Sequence, residues 1–402
     1  MFNLTTEWND WNSRVDHGKI RRQRLEGLQH EMKSEGVDAL LLTWPENLRY
    51  ACDLVVPYGV TWATRYAAVI FPEGLPVALP GGGACEPYKD IMHWVEDIRP
   101  LPVEPPNWVG TIKEVLETRR VVDGKIGIDI LPFALGKALE EALPNASFVD
   151  AEKILTVARM IKSEEEIKAI REAVEVAELG IDAAIRKTTA GVTEYEIAAA
   201  AIATMVSAGA EGIAFYPIVH SGPAAARLSK LPTKKRVRDG ELVIIDLGSL
   251  YNGYHGIVGR TICVGKPSEE QKKIYKTVYK AEKEAIDTMK PGIKVSEVDK
   301  VARNVIRETG YGKYMHANVT GWGTGTKRLE PPVIGEPEMT KAEGEEEPEL
   351  KPGMTIVLEP GIFCRDDPEV GGVRLSDMVL VTNTGSEVLT KVRYDEKLLG
   401  ET

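Results

Sequence analysis

No stretch of this 402-residue chain approaches the roughly 20 consecutive apolar residues that a membrane-spanning helix requires. Cysteine is scarce: Cys52, Cys85, Cys263 and Cys364 lie far apart, with no CxxC pair. That leaves no disulfide-rich framework, and it fits reduced thiols in a cytoplasmic protein. An excess of positive charge is also missing. The net charge of −11 argues against nucleic acid or an anionic membrane surface as the main partner. The opening residues, MFNLTTEWNDWNSR, have no basic segment leading into an apolar one, so no secretion signal is expected. What remains is a globular composition, 43% hydrophobic and 28% charged, on a chain long enough for two domains with separate cores. Part of the acidity is local: GEPEMTKAEGEEEPE, from Gly335 to Glu349, reads as a solvated surface loop.

The first 150 or so residues alternate helical and strand patterns. A helix is expected over Ile20–Gly36, then strands at Val37–Thr43, Tyr66–Phe71 and Pro76–Leu79. KIGIDI, a helix over Ala134–Leu143 and the short strand ASFVD complete an α/β domain. A boundary falls near Asp150–Lys162, which gives domains of 1–155 and 156–402. The second domain opens on a capping box, Ser163 with Glu166, and a helix whose apolar face is Ile167, Ile170, Val174, Ala177, Ile181 and Ile185. A helix over Glu194–Ala208 leads into strands. Two more, near Glu269–Met289 and Ser296–Thr309, separate those strands from a last strand-rich segment.

Within the second domain, VIIDLGSLYNGYHGIVGRT predicts a tight hairpin. Asn252-Gly253 supplies a two-residue turn, so Tyr251 should face Tyr254 and Asp246 should face Gly259. Alternation then puts His255, Ile257 and Gly259 on the face of Asp246 and Gly248. A carboxylate at position 257 would share metal ions with Asp246, but Ile257 ligates nothing. A buried Asp246 needs a partner, and His255 is the nearest candidate on that face.

These residues, with Asp246-Leu-Gly248, Gly253-Tyr254, Arg260-Thr261, Glu359-Pro360-Gly361 and Arg374-Leu-Ser-Asp377 in order, resemble the creatinase, aminopeptidase P and prolidase superfamily. The resemblance spans nearly the whole chain. It implies an α/β N-terminal domain followed by an α+β pita-bread catalytic domain. It also implies a homodimer in which the first domain of one subunit closes the pocket of the other. Tyr58, Trp62 and Arg65 form an aromatic-basic cluster suited to that lining role.

The five positions that ligate two metals in the superfamily's peptidases read Asp246, Ile257, Trp322, Glu359 and Ser376 here. In GWGTGTKRLEPP, Trp322 and Leu329 stand at two histidine positions, and the histidine that follows SGP is Ser229. Two carboxylates hold a divalent ion loosely, since catalytic sites use about three protein ligands plus water. The expectation is therefore no metal cofactor and a place in the metal-free branch that resembles creatinase and ectoine hydrolase. Ectoine hydrolase is similar at Asp246, at Tyr254-His255 and in a hydroxyl residue at Ser376, although both relatives keep the histidine that is Ser229 here.

Asp246, His255 and Glu359 are the candidate catalytic residues. The carboxylates would serve as base or nucleophile, and the imidazole would pass the proton. His220, Ser229, Tyr254, Arg260, His316, Trp322, Glu330, Arg374, Ser376, Trp62 and Arg65 are candidates for contact with a small-molecule substrate. Arg260 and Arg374 suit bracing a buried carboxylate, Arg374 bracing Asp377, or gripping a substrate carboxylate. The leading expectation is metal-independent hydrolysis of a C–N bond in a small polar metabolite, with elimination by the same base as a variant. The alternatives are an Xaa-Pro peptidase with a degenerate metal site, and a non-catalytic binding module similar to the pita-bread domain of a histone chaperone.

Overall fold

Alternating apolar residues build the first sheet with a core on each face. The computed structural model describes residues 14–56, 66–81, 85–227, 231–316, 319–341 and 346–400. The chain divides into two units, Met1–Arg159 and Met160–Thr402. In the first, strands β1 (Ala39–Leu42), β2 (Tyr66–Ile70), β3 (Val77–Pro80), β4 (Asp97–Ile98), β5 (Lys125–Ile128) and β6 (Ser147–Asp150) form one sheet in the order β4-β3-β2-β1-β5-β6. β1 runs antiparallel to β2 and parallel to β5. Leu40, Leu42, Ala68 and Ile70 pack to one side with Leu28 and Met32 of the helix His17–Glu35. Ala39, Leu41, Ala67 and Val69 pack to the other with Trp108, Ile112 and Val115 of the helix Trp108–Thr118. This period-two division is what a sheet covered on both faces requires.

The second unit begins where the sequence places its capping box. The Ser163 hydroxyl accepts from the Glu166 N–H, and the Glu166 carboxylate accepts from the Ser163 N–H. The helix Glu164–Lys187 that follows buries Ile170, Val174, Ala177 and Ile181. Strands β7 (Gly212–Ser221), β8 (Leu242–Tyr251) and β9 (Tyr254–Cys263) make a three-stranded antiparallel sheet. The later strands are β10 (Val319–Gly323), β11 (Glu330–Gly335), β12 (Thr355–Leu358), β13 (Gly361–Phe363), β14 (Gly372–Arg374), β15 (Asp377–Val381) and β16 (Ser386–Val388). Five of them form a sheet in the order β11-β10-β12-β15-β16, and β13 pairs with β14. Helices Glu269–Thr288 and Val295–Glu308 supply Ile274, Val278, Val298 and Ala302 to a core shared with Ile356, Leu358 and Val379.

The β8–β9 hairpin has the register expected, with Tyr251 opposite Tyr254 and Asp246 opposite Gly259. Asn252 and Gly253 turn at φ of 50° and 77°, the left-handed region that a tight two-residue turn needs. Two anchors hold the hairpin. Gly256 lies so close to the helix Glu164–Lys187 that a Cβ there would meet the Ala173 carbonyl at 2.2 Å. His255 is tied to Gly325, whose carbonyl accepts from the His255 N–H at 2.9 Å and lies 3.2 Å from Nδ1. No helix among the described residues is long and apolar enough to cross a membrane, and the four cysteines are free and buried.

Both anchors can be tested through stability. Gly256→Ala should destabilise the second unit by about 3 kcal/mol, because backbone must move to admit the methyl group. Gly27→Ala, where an added Cβ would have nothing within 4 Å, should be neutral or gain up to about 1 kcal/mol. Thermal melting of both variants checks the contrast. Burial pushes the His255 imidazole down to about 4, against the pull of the Gly325 carbonyl. The folded state then binds fewer protons than the unfolded chain between about pH 6.5 and 4, so stability falls as pH drops through that window. His255→Gln should remove up to about 3 kcal/mol of that acid-side loss, read from urea titrations at a series of pH values. Parallel curves for variant and wild type would refute the buried neutral imidazole.

Candidate active site

Three strand ends and one hairpin rung deliver the polar groups of the pocket. Ile218, Asp246 and Gly259 share a rung across β7, β8 and β9. Gly259 bridges to Ser376, each N–H donating to the other's carbonyl at 3.0 Å. A side chain at Gly259 would meet the Ser376 hydroxyl at 2.7 Å and the Asp246 carboxyl carbon at 3.3 Å, so both groups border the space that glycine leaves. Glu359 follows β12, its N–H donating to the Thr320 carbonyl at 2.7 Å. Arg374 ends β14 opposite Gly361.

The side chains converge on Arg374. Its Nη1 lies 3.2 Å from Asp246 Oδ2, and Nη2 contacts Glu359 Oε1. Asp246, Glu359 and Arg374 are 1%, 3% and 5% exposed, so each charge depends on the others rather than on water. Burial pushes the Asp246 carboxyl above its ordinary range, and the guanidinium groups of Arg374 and Arg328 pull it back. Asp246 Oδ1, the Ser376 hydroxyl and the Trp322 indole N–H are buried and have no hydrogen-bond partner among the described residues. Trp322 stands on β10 opposite Val357, which in turn faces Met378. The Met378 sulfur accepts from the Ile257 N–H at 3.1 Å. Of the five family ligand positions, Asp246, Ile257 and Trp322 thus stand on β8, β9 and β10, while Glu359 follows β12 and Ser376 precedes β15.

Other candidates have different work. The partner of Asp246 is Arg374 and not His255, which lies four residues from the Asp246 rung, about 13 Å along the strand. That separation removes the direct proton path expected between them. Arg260, expected near the substrate, binds Asp377 at 2.7 Å, so Arg374 does not brace Asp377. The Tyr254 hydroxyl donates to Glu166 at 3.1 Å, which ties it to the helix cap and away from the pocket. Glu330 is paired with the buried Lys162. His220 is fully buried two residues beyond Ile218 on β7, opposite Ile244. His316 lies against Phe363, with burial and then the Arg374 charge lowering its proton affinity. Ser229, Trp62 and Arg65 fall outside the described residues. Arg328 is the residue that sequence reasoning missed. Its field reaches Asp246, Arg374 and His255, and the only signal for it was a basic residue next to Leu329.

The donor set does not fit a pair of divalent ions. Two carboxylates remain, a guanidinium already bridges them, and Ile257 is buried where a third would stand. Among the described residues no group of three His, Cys, Asp or Glu side chains is placed to hold a metal ion.

Comparison with known proteins fixes the family. The profile of metallopeptidase family M24 matches residues 168–383, and that of the creatinase/prolidase N-terminal domain matches residues 24–161. An Xaa-Pro dipeptidase of Pyrococcus furiosus is 37% identical over 377 residues, covering 93% of this chain and 99% of that protein. The prolidase structure from Pyrococcus horikoshii superposes with a TM-score of 0.77 at 32% identity, over 92% of this chain and 99% of that one. An Xaa-Pro dipeptidase from Bacillus anthracis gives 0.80 at 27% identity, over 93% and 99%. These likenesses overturn the placement beside creatinase and ectoine hydrolase. They overturn with it the leading expectation of a metal-independent hydrolase of a small polar metabolite. The missing ligands report only on the metal centre, whereas the rest of the chain follows the dipeptidases. The two-domain architecture stands as expected, and the chain belongs to metallopeptidase family M24, among the hydrolases of C–N bonds that make up the creatinase/prolidase superfamily.

Proposed function

We propose that the protein is a hydrolase of the prolidase type whose ligand is an Xaa-Pro dipeptide. The observation that carries this reading is the 37% identity to an Xaa-Pro dipeptidase over 93% of this chain and 99% of that one. The likeness runs over both domains. In the pocket, Asp246 Oδ1 is the acceptor left over once Arg374 has taken Oδ2, which suits it to receive a proton from water or from the peptide's amino group. Arg374 keeps both carboxylates oriented, and Trp322 offers an aromatic wall to a proline ring.

A second reading, in which the pocket binds the dipeptide without cleaving it, is favoured by Ile257, Trp322 and Ser376 at three family ligand positions. Proline release from an Xaa-Pro panel, measured with and without added Mn²⁺ beside calorimetric binding of the same dipeptides, separates the two. Release that Asp246→Asn lowers by about 10² to 10⁴ supports hydrolysis. Binding without release supports the second reading, and neither binding nor release would remove Xaa-Pro dipeptides altogether.

We also propose the homodimer that the resemblance implies, with Trp62 and Arg65 of one chain toward the pocket of the other. Sedimentation should give twice the 44.2 kDa chain mass. A monomer at micromolar concentration would refute it.

A further inference from the structure

The pocket lacks metal ligands at Ile257, Trp322 and Ser376, three of the five positions that the resemblance marks, and a second guanidinium beside Arg374 bears on it. Arg374 belongs to the Arg374-Leu-Ser-Asp377 segment by which the chain resembles its superfamily, so it does not by itself distinguish this centre. Arg328 does. It follows the GTGTK turn after Trp322, and its guanidinium lies 4.8 Å from the ring centroid of Phe215. Phe215 is opposite Gly248, and Gly248 is opposite Ile257. Phe215, against which the guanidinium lies, is thus registered with the rung of the lost carboxylate, between two irregularities of β7.

Charge points the same way. Asp246 and Glu359 bring two negative charges, and Arg374 and Arg328 bring two positive ones. His255 and His316 are both held toward the neutral form by burial. Arg328 is half-buried against Phe215, and its positive charge opposes the rise that burial imposes on the Asp246 carboxyl. The centre is balanced by side chains alone. A divalent ion entering it would meet two guanidinium groups and displace one from its carboxylates.

We infer that Arg328 is a built-in replacement for the family's metal ions, a fixed cation on the rung of Ile257 that neutralises Asp246 and closes the pocket to divalent cations. This holds whether a dipeptide is cleaved or only bound, and it is tested by metal retention rather than turnover.

Wild-type protein and Arg328→Met are stripped with chelator, titrated with MnCl₂, desalted and analysed for manganese, with melting temperature recorded at each concentration. Wild type should retain far less than one ion per chain and show no manganese-dependent rise in melting temperature. Arg328→Met should bind Mn²⁺ at least about tenfold more tightly, because Asp246 and Glu359 then share the single guanidinium of Arg374 and the centre keeps one negative charge in excess. The same comparison in an Ile257→Asp background removes the shortage of ligands as an explanation. Ile257→Asp alone should stay empty, since Arg328 pairs with the new carboxylate, whereas Ile257→Asp with Arg328→Met should retain close to one ion per chain. Equal manganese binding with and without Arg328 overturns the inference, as does tight binding by wild type. If the Ile257→Asp chains do not fold, the single Arg328→Met comparison decides by the same criterion. Failure on manganese leaves the dipeptide reading standing, and failure of the dipeptide assay leaves this one standing.

Discussion

Two carboxylates buried side by side repel unless a cation lies between them, and the geometry of the second unit is the solution to that problem. Arg374 bridges Asp246 and Glu359 with the two ends of one guanidinium. A planar fork does this and an ammonium does not, because two nitrogens must meet two carboxylates at fixed angles. The arrangement demands that β8, β14 and the end of β12 reach one place in register. Gly259 is part of the requirement, because any side chain there would fill the gap between Asp246 and Ser376. Removing one member of such a set leaves a buried charge without compensation, which costs far more than the net worth of the pair.

A second charged cluster holds the same bridge from behind. Arg260 donates through Nη1 to the carbonyls of Gly259 and Ser376 at 2.8 and 3.1 Å, and through Nη2 to Asp377. Its guanidinium lies 4.4 Å from the Tyr394 ring, and the Tyr394 hydroxyl contacts both Asp377 and Glu282. Burial, with Asp377 nearby, raises the proton affinity of Glu282 above the usual carboxylate range, which favours a proton on it. That proton lets two carboxyl groups share a tyrosine without facing each other as anions. The two networks meet at the Gly259–Ser376 bridge, Arg260 binding both its carbonyls while Asp246, the partner of Arg374, faces Gly259.

Much of this was legible in the sequence because local rules were strong where they applied. Asn252-Gly253 fixed the hairpin turn, and the turn fixed which residue faces Asp246. Ser163 with Glu166 marked a helix start that both hydrogen bonds confirm. The ion-pair partners were not legible. Alternation says which residues share a face but not how far apart they stand along it, so His255 looked like a neighbour of Asp246 from four residues away. Arg374 reaches Asp246 from a strand more than a hundred residues later in the chain, and nothing local encodes that meeting. Arg328 was invisible for the same reason, as its position is set by a loop folding back over Phe215.

The mistaken placement in a metal-free branch has a specific physical origin. It rested on lost ligands and on the pair Tyr254-His255, read as pocket residues. In the fold that pair is scaffolding: Tyr254 reaches the helix-cap carboxylate Glu166, and His255 is fastened to the Gly325 carbonyl. Residues that anchor a hairpin serve packing whichever chemistry the pocket performs. Likewise, replacing a ligand by Ile257 changes one side chain on an internal strand and leaves the strand pairing intact, because sheet register depends on backbone hydrogen bonds and on which face is buried. A metal centre can therefore be dismantled residue by residue while the family's fold is kept. What the fold does enforce is that the charges left behind be balanced, and here that balance falls to arginine.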